Sequence, residues 1–226
     1  LRDLVSRFDP ATTQIIVVDD GSDDATARVA GDGLASFPNH RIEVLPVNRG
    51  KGAALRHGVR QSTGSQVVFM DADGATDLAD IDPLLHALAG ADIAVGSRLL
   101  PGAVVNEPQR SRHLMRRGFN MLVRLATRAN VSDSQCGFKA FTGGAAHLLF
   151  HLTRLDGFAL DAEILDLAER LGLQVEEVPV HWLAVSGSKI NRIRDSAHLA
   201  VSVLRIGFGP ATQAQLPLLA VSRSAE

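Results

Sequence analysis

Gln66-Val67-Val68-Phe69-Met70-Asp71-Ala72-Asp73 is a run of strand-forming residues that stops on two carboxylates. Five largely apolar, β-branched or aromatic positions without helical spacing suit a short strand buried in a sheet. The aspartates at its end are oxygen donors of the kind hard divalent cations take. Mg²⁺ is commonly held by one or two carboxylates together with substrate phosphates, so the pair Asp71 and Asp73 suits a nucleotide diphosphate. Asp-rich turns also follow strands for reasons of turn geometry alone, so the surrounding chain has to decide.

Three more β-rich runs stand around this one, at Gln14 to Val18, Arg41 to Val47 and Ile93 to Val95. Between them apolar residues return at three- and four-residue intervals, which predicts helices over Asp23 to Ala35, Lys51 to Gln61 and Asp80 to Ala89. Strand and helix in alternation read as an α/β chain with a mostly parallel sheet. Beyond Arg98 the pattern changes to a loop holding Pro101 and Pro108, a basic helix from Arg110 to Arg128, two helices flanking Phe158, a last strand from Gln174 to Trp182 and a terminal helix. The core is expected to end near Phe208, giving one domain over 1–208 and a fraying tail over 209–226.

Ligands of open parallel sheets sit outside the carboxyl ends of the strands, and the polar clusters of this chain fall there. Asp19-Asp20-Gly21-Ser22 follows the first strand, Asn48-Arg49-Gly50-Lys51-Gly52 the second, Asp71-Ala72-Asp73 the third and Gly96-Ser97-Arg98 the fourth. Each alone is explained by a cap or a turn; four together favour one shared crevice. Asp20 is the candidate to accept from the imide N–H of a uracil ring, with Gly21 allowing close backbone approach and Ser22 capping a helix. Gly50 and Gly52, at a helix start around Lys51, offer free backbone N–H groups and an ammonium to an anion. Neither a Walker A loop nor Gly-x-Gly-x-x-Gly is present, because the sixth position of the latter is Leu55, and dinucleotide oxidoreductases lose support.

Other features narrow the field. With 226 residues, a formal net charge of −2 and 21% charged residues, the chain carries no global nucleic-acid signature, and none is expected as a partner. No stretch approaches the roughly 18 uninterrupted apolar residues of a membrane-spanning helix, so a soluble domain is expected. Cys136, the single cysteine, reads as a small buried hydrophobe. His147 and His151 stand at i and i+4 but lack the glutamate of His-Glu-x-x-His and sit among core-type residues, so they read as ordinary helical histidines. Asp156, Asp161 and Glu163 surround Phe158 and Leu160; one of them serves as a general base or acceptor-positioning group, or Asp161 caps a helix. The arginines of 110–128, among Leu114, Met115, Phe119 and Leu122, suit either a membrane surface or a helix docked on the core with a solvated basic face.

These residues, in this order, resemble the family 2 glycosyltransferases of GT-A fold, and within them the dolichyl-phosphate β-glucosyltransferase-like and polyprenyl-phosphate glycosyltransferase proteins. The resemblance runs from about Gln14 to Arg205. It rests on Ile16-Val17-Val18-Asp19-Asp20-Gly21-Ser22, Asn48-Arg49-Gly50-Lys51-Gly52, Asp71-Ala72-Asp73-Gly74-Ala75-Thr76, Gly96-Ser97-Arg98, Asp133-Ser134-Gln135-Cys136-Gly137-Phe138-Lys139, Phe158-Ala159-Leu160-Asp161-Ala162-Glu163 and Ser186-Gly187-Ser188-Lys189. Ala75 stands where the related mannosyl branch usually has Gln, which favours the glucosyl branch.

The resemblance implies inverting transfer of glucose from UDP-glucose to a polyprenyl or dolichyl monophosphate, with Mg²⁺ or Mn²⁺ as cofactor. The alternatives it leaves open are a GDP-mannose-dependent mannosyltransferase and a nucleotide-sugar-binding remnant without turnover. It assigns the nucleotide to Asp19, Asp20, Gly21, Ser22, Gly50, Lys51 and Asp71, and the metal to Asp71 and Asp73. Arg98 and Lys189 are assigned to phosphates, Arg116 and Arg117 together with Arg98 to the acceptor phosphate, and Asp161 to the catalytic set. A phosphate monoester is largely ionised near neutral pH, so the acceptor needs little general-base help and the demand on Asp161 is small. Family members begin with a strand and a Pro-x-Tyr-Asn-Glu-like turn for which no counterpart is present, so a sheet lacking its first strand, with strand edges exposed, is expected. The resemblance also implies a cytoplasmic location, peripheral at the inner face of a membrane, through helices such as 110–128 or 194–208.

Overall fold

The computed structural model describes residues 1–106, 110–183 and 192–208. In chain order the first half holds α1 (Arg2–Arg7), β1 (Ile15–Asp19), α2 (Thr26–Leu34), β2 (His40–Val44), α3 (Lys51–Gln61) and β3 (Gln66–Met70). A 3-10 turn over Leu78–Asp80 leads into α4 (Ile81–Ala87), β4 (Ile93–Ser97), β5 (Val104–Asn106) and α5 (Arg110–Ala126). The second half continues with β6 (Phe138–Thr142), α6 (Gly143–Leu152), α7 (Leu160–Leu171), β7 (Val175–Pro179), β8 (His181–Leu183) and α8 (Arg192–Phe208).

The central sheet has the order β3-β6-β4-β7. Three of its strands point the same way, and β6 runs against β3 and β4 between them, with Val68 opposite Ala140 and Ala94 opposite Ala140 on the other side. The sheet is thus mixed at its centre, and β6 is an addition to the sequence expectation. Phe138-Lys139-Ala140-Phe141-Thr142 is fully buried from Phe138 to Phe141, and a lysine within so short a run hides the strand pattern. The single strand expected from Gln174 to Trp182 divides instead. β7 pairs with β4 as far as Pro179, which has no N–H to continue a ladder, and β8 then pairs with β5.

β1 and β2 form a separate parallel pair with Ile15 opposite His40. Among the described residues β1 pairs only with β2 and β3 only with β6, so each keeps one edge outside any ladder. Side chains join the two sheets instead. Leu4 and Phe8 pack against both the Ile15–Leu34–Phe37 cluster and the Ile81–Leu84–Phe138 cluster, and Arg7 pairs with Asp82 on α4. The largest cluster lies on the other face of the central sheet, under α3, α5, α6, α7 and α8, where the rings of Phe69, Phe141 and Phe150 meet at 5.7–6.2 Å. Phe69 belongs to the strand that ends at Asp71, so the site rests on the largest hydrophobic cluster of the described residues.

Candidate active site

Asp71 continues the β3–β6 ladder one residue past the strand, its N–H donating to Gly137 O at 2.9 Å. Its carboxylate lies against Gly137, where a Cβ would push it from this position. Oδ1 of Asp71 meets Lys51 Nζ at 2.9 Å. Asp73, two residues on and exposed, accepts from Ala75 N at 3.0 Å and so shapes the turn that presents both carboxylates. A half-buried and an exposed carboxylate two residues apart suit a divalent cation whose remaining ligands are phosphate oxygens and water. Among the described residues no group of three or more histidine, cysteine or acidic side chains is placed to hold a metal ion.

Beneath this turn lies a ladder of buried charges. Lys51 Nζ reaches past Asp71 to Asp161 Oδ2 at 3.1 Å, and Asp161 Oδ1 in turn accepts from Lys139 Nζ at 2.6 Å. Lys139 is wholly buried and spends its other donors on Cys136 O at 2.6 Å and Ser134 O at 3.2 Å. Both ammoniums stand over the Phe69 ring, at 5.6 and 5.4 Å from its centre. Burial works against the charge on Lys51, yet Asp161 and Asp71 overcome it and hold its pKa above the ordinary lysine value. Burial likewise opposes the charge on Asp161, and Lys139 and Lys51 hold its pKa below the usual carboxylate range. Asp161 is 2% exposed and occupied on both oxygens, and it does not cap α7.

Asp19 closes β1 and engages its own turn, and Asp20 beside it is engaged by the loop after β2. Asp19 accepts from Ser22 N at 2.9 Å, and Asp20 accepts from Arg49 N at 2.9 Å and Gly50 N at 2.6 Å. The expectation that Gly50 and Gly52 turn open N–H groups toward an anion is corrected. Gly50 N is bound to Asp20, and Gly52 N donates to Asp156 O at 2.6 Å. Gly50 adopts φ +100° with Asp156 O where a Cβ would stand, so its glycine serves this tight approach of two loops. Arg56 ties the same loop through Leu155 O at 2.7 Å and the Asp156 carboxylate.

Arg98, at the end of β4, grips Asp133 with Nε at 2.6 Å and Nη2 at 2.9 Å, a bidentate pair whose carboxylate is wholly buried. Burial opposes the charge on Asp133, and Arg98 holds its pKa below the ordinary value. The guanidiniums of Arg98 and Arg116 both stand over the indole of Trp182, at 5.4 and 5.5 Å, which brings α5 to the end of β4. Arg117 is exposed on the next turn position of α5. Trp182 bridges to Thr76, so the strand carrying it is fastened to the turn that carries Asp73. Lys189 lies outside the described residues. Cys136 is buried beside Arg98 and Asp133, and burial pushes its thiol up to about 11, in keeping with an inert core residue.

The sequence matches the profile of Glycosyl transferase family 2 over residues 1–147, more than half its length. The chain belongs to glycosyl transferase family 2. Among curated members it is 34% identical over 204 residues to a dolichyl-phosphate beta-glucosyltransferase of Dictyostelium discoideum, covering 86% of this chain and 62% of that protein. It is 36% identical over 193 residues to the human protein of the same name, covering 80% and 60% respectively. The chain therefore spans about three fifths of the length of these relatives. A solved glucosyl-3-phosphoglycerate synthase of Mycobacterium tuberculosis, in complex with Mn²⁺, UDP-glucose and glycerol 3-phosphate, matches with a TM-score of 0.64 at 20% identity, over 91% of this chain and 73% of that one. At that identity the likeness speaks for the fold, and it agrees with the GT-A reading of the sequence motifs.

Three site residues escaped the residue-by-residue reading: Lys139, Asp133 and Trp182. The first two lie inside the Asp133–Lys139 segment quoted for the family resemblance, where their order, rather than any spacing rule, was the signal. Asp156 acts partly through its carbonyl, which leaves no trace in a sequence.

Proposed function

We propose that this domain transfers glucose from UDP-glucose to a polyprenyl or dolichyl monophosphate with inversion at the anomeric carbon. The observation that carries the reading is the Asp71–Asp73 turn, open to solvent at Asp73, set above the paired Lys51–Asp161–Lys139 ladder, beside the Arg98–Trp182–Arg116 stack. The names of the curated relatives supply the acceptor class, and the UDP-glucose-bound structural relative supports the donor.

An oxygen of the acceptor phosphate attacks the anomeric carbon, the bond from that carbon to the UDP oxygen breaks, and the diphosphate leaves with the electron pair. Asp71 and Asp73 would hold a divalent ion, which would supply charge that stabilises this leaving group. Because the attacking phosphate is already anionic, no base has to deprotonate it. The engagement of both Asp161 oxygens by lysines accords with that chemistry. The chain's share is positioning and fixed charge: Asp20 holds the Arg49–Gly50 loop in place, and Arg98, Arg116 and Arg117 offer cationic edges to an acceptor phosphate.

The acceptor's lipid implies a membrane surface, at the cytoplasmic face in this reading. Met121 and Leu125 on α5, and Val201 and Leu204 on α8, are exposed apolar residues accompanied by exposed Arg117, Arg124 and Arg205. No helix among the described residues is long and apolar enough to cross a membrane. The deciding experiment measures UDP release from UDP-glucose and polyprenyl phosphate, with Mn²⁺ and with chelator, against GDP-mannose as the competing donor. Metal-dependent release with UDP-glucose alone is expected. Release from GDP-mannose instead overturns the donor, and calorimetric UDP binding without release in either case identifies a binding module.

A further inference from the structure

Lys51 occupies an unusual place, because one ammonium serves a carboxylate at the rim and another in the core. Asp71, 2.9 Å away, is 45% exposed and is a candidate metal ligand; Asp161, 3.1 Å away, is 2% exposed and is held from its far side by Lys139. We propose that Lys51 is a resident counter-ion of Asp71, which competes with the divalent cation for that carboxylate and is left on Asp161 when the cation arrives. This deepens the reading given under the proposed function and rests on it.

The geometry makes the exchange cheap. When Asp71 turns to an incoming cation, Lys51 keeps Asp161 at 3.1 Å and the face of Phe69 at 5.6 Å, so its charge is not stranded. Asp161 keeps Lys139 at 2.6 Å throughout, and Lys139 keeps two backbone carbonyls. No buried charge loses its last partner, which is the event that would cost most. Asp71 is the member of the ladder with access to water, and it is the one that changes partner. Without a nucleotide, the two cations oppose each other on one oxygen and the site holds a metal weakly. A diphosphate adds ligands that Lys51 does not contest, so metal and nucleotide are expected to bind together.

The test is the affinity for Mn²⁺ alone, followed by the spectroscopic signal of the free ion or by calorimetry, in the unliganded chain and in Lys51→Met. Methionine keeps the length and helix propensity of the side chain at the first position of α3 and removes the charge. Removal of a unit charge about 5 Å from a divalent ion in a water-like dielectric is expected to tighten Mn²⁺ binding about tenfold. Lys51→Gln, with circular dichroism recorded for both variants, repeats the measurement should methionine perturb the fold, and Lys51→Arg is expected to return the weaker wild-type affinity. Unchanged or weaker Mn²⁺ binding in folded Lys51→Met and Lys51→Gln overturns the inference, and a loss confined to UDP binding does so by assigning Lys51 to the diphosphate. Failure of the functional reading looks different: the wild-type chain then binds neither Mn²⁺ with UDP nor UDP-glucose.

Discussion

At the rim of the site Asp71 and Asp73 stand in reach of water, Asp71 with a single lysine and Asp73 with a single backbone N–H. At its floor Asp161 and Asp133 are 2% and 0% exposed, each held by at least two charged or charge-assisted bonds. The same side chain thus does opposite things a few ångströms apart. A carboxylate buried with both oxygens held by cations is part of the framework and is closed to a ligand. A carboxylate with spare oxygens and little desolvation can take a cation and release it. The division implies that rim substitutions change chemistry with little effect on stability, and that floor substitutions do the reverse.

The largest expected effect tests the rim. Asp73→Asn should lower the proposed metal-dependent glucosyl transfer by more than about a hundredfold, the scale of losing a group that stabilises charge in the transition state. Stability, read by urea denaturation, should move by less than about 0.5 kcal/mol, as for an ordinary surface substitution. Near-normal turnover in the folded variant would break the comparison at its rim.

The floor supplies the converse. Lys139→Met removes the buried partner of Asp161 and strips the carbonyls of Ser134 and Cys136 of their donor. Breaking a buried pair from one side costs about 3–5 kcal/mol, and the low end is expected here because Lys51 still faces Asp161. A loss under about 1 kcal/mol would show that the ladder is not a framework element. Replacing both partners, as Lys139→Met with Asp161→Leu, should restore part of the loss, since an apolar pair has no charge to strand.

How much of this could be read in advance follows the same division. The rim was legible: the run Gln66–Met70 is β3 to the residue, Lys51–Gln61 is α3 to the residue, and Asp71–Asp73 follows the strand as expected. Local alternation and a cluster of turn-forming residues suffice for such features. The floor was not legible, because it depends on partners far apart in the chain: Lys51 with Asp161, Arg98 with Asp133, Gly52 with the carbonyl of Asp156. β6 was missed for the same reason, since its Lys139 is buried only because Asp161 is there to receive it. Asp20 shows the limit most clearly. Its position after β1 was evident, but its two bonds to the Arg49–Gly50 backbone are a property of the folded loop.

Acid stability sharpens the comparison further. Burial opposes the charge on both Asp133 and Asp161, but Arg98 for the one and Lys139 with Lys51 for the other hold their pKa values below the ordinary 3.8. A carboxylate depressed in the folded state contributes stability above its unfolded pKa and loses it as pH falls through the folded value. The melting temperature is therefore expected to hold until about pH 4 and to fall below it. Glu163 runs the other way, because burial outweighs its bonds from Leu155 N and Arg154 N and raises its pKa above 4.5. Protonation of Glu163 should give a slight gain just above pH 4.5, absent in Glu163→Gln. An onset of unfolding well above pH 5 would contradict the paired floor.

The smallest effect concerns the fastening between rim and framework. His181 opens β8; its Nδ1 lies 2.8 Å from Asp80 Oδ1 and its backbone N–H donates to Asp80 Oδ2 at 2.6 Å. Asp77 N donates to His181 O at 3.1 Å and Leu183 N to Ala75 O at 2.7 Å, so the turn after Asp73 is stitched to the strand that presents Trp182. The bond to Asp80, with the charges of Asp80 and Asp77, raises the His181 pKa above 6.5 although the ring is exposed. A histidine raised in the folded state contributes its stability below the unfolded pKa and loses it as pH rises through the folded value, so any softening of this fastening belongs on the alkaline side of 6.5. A proton titration of the ring by NMR should give a midpoint above 6.5 in the native chain and near 6.5 in Asp80→Asn. Were the two midpoints to coincide, the ring would have no part in the fastening, and the turn that carries Asp73 would be held to β8 by its backbone bonds alone.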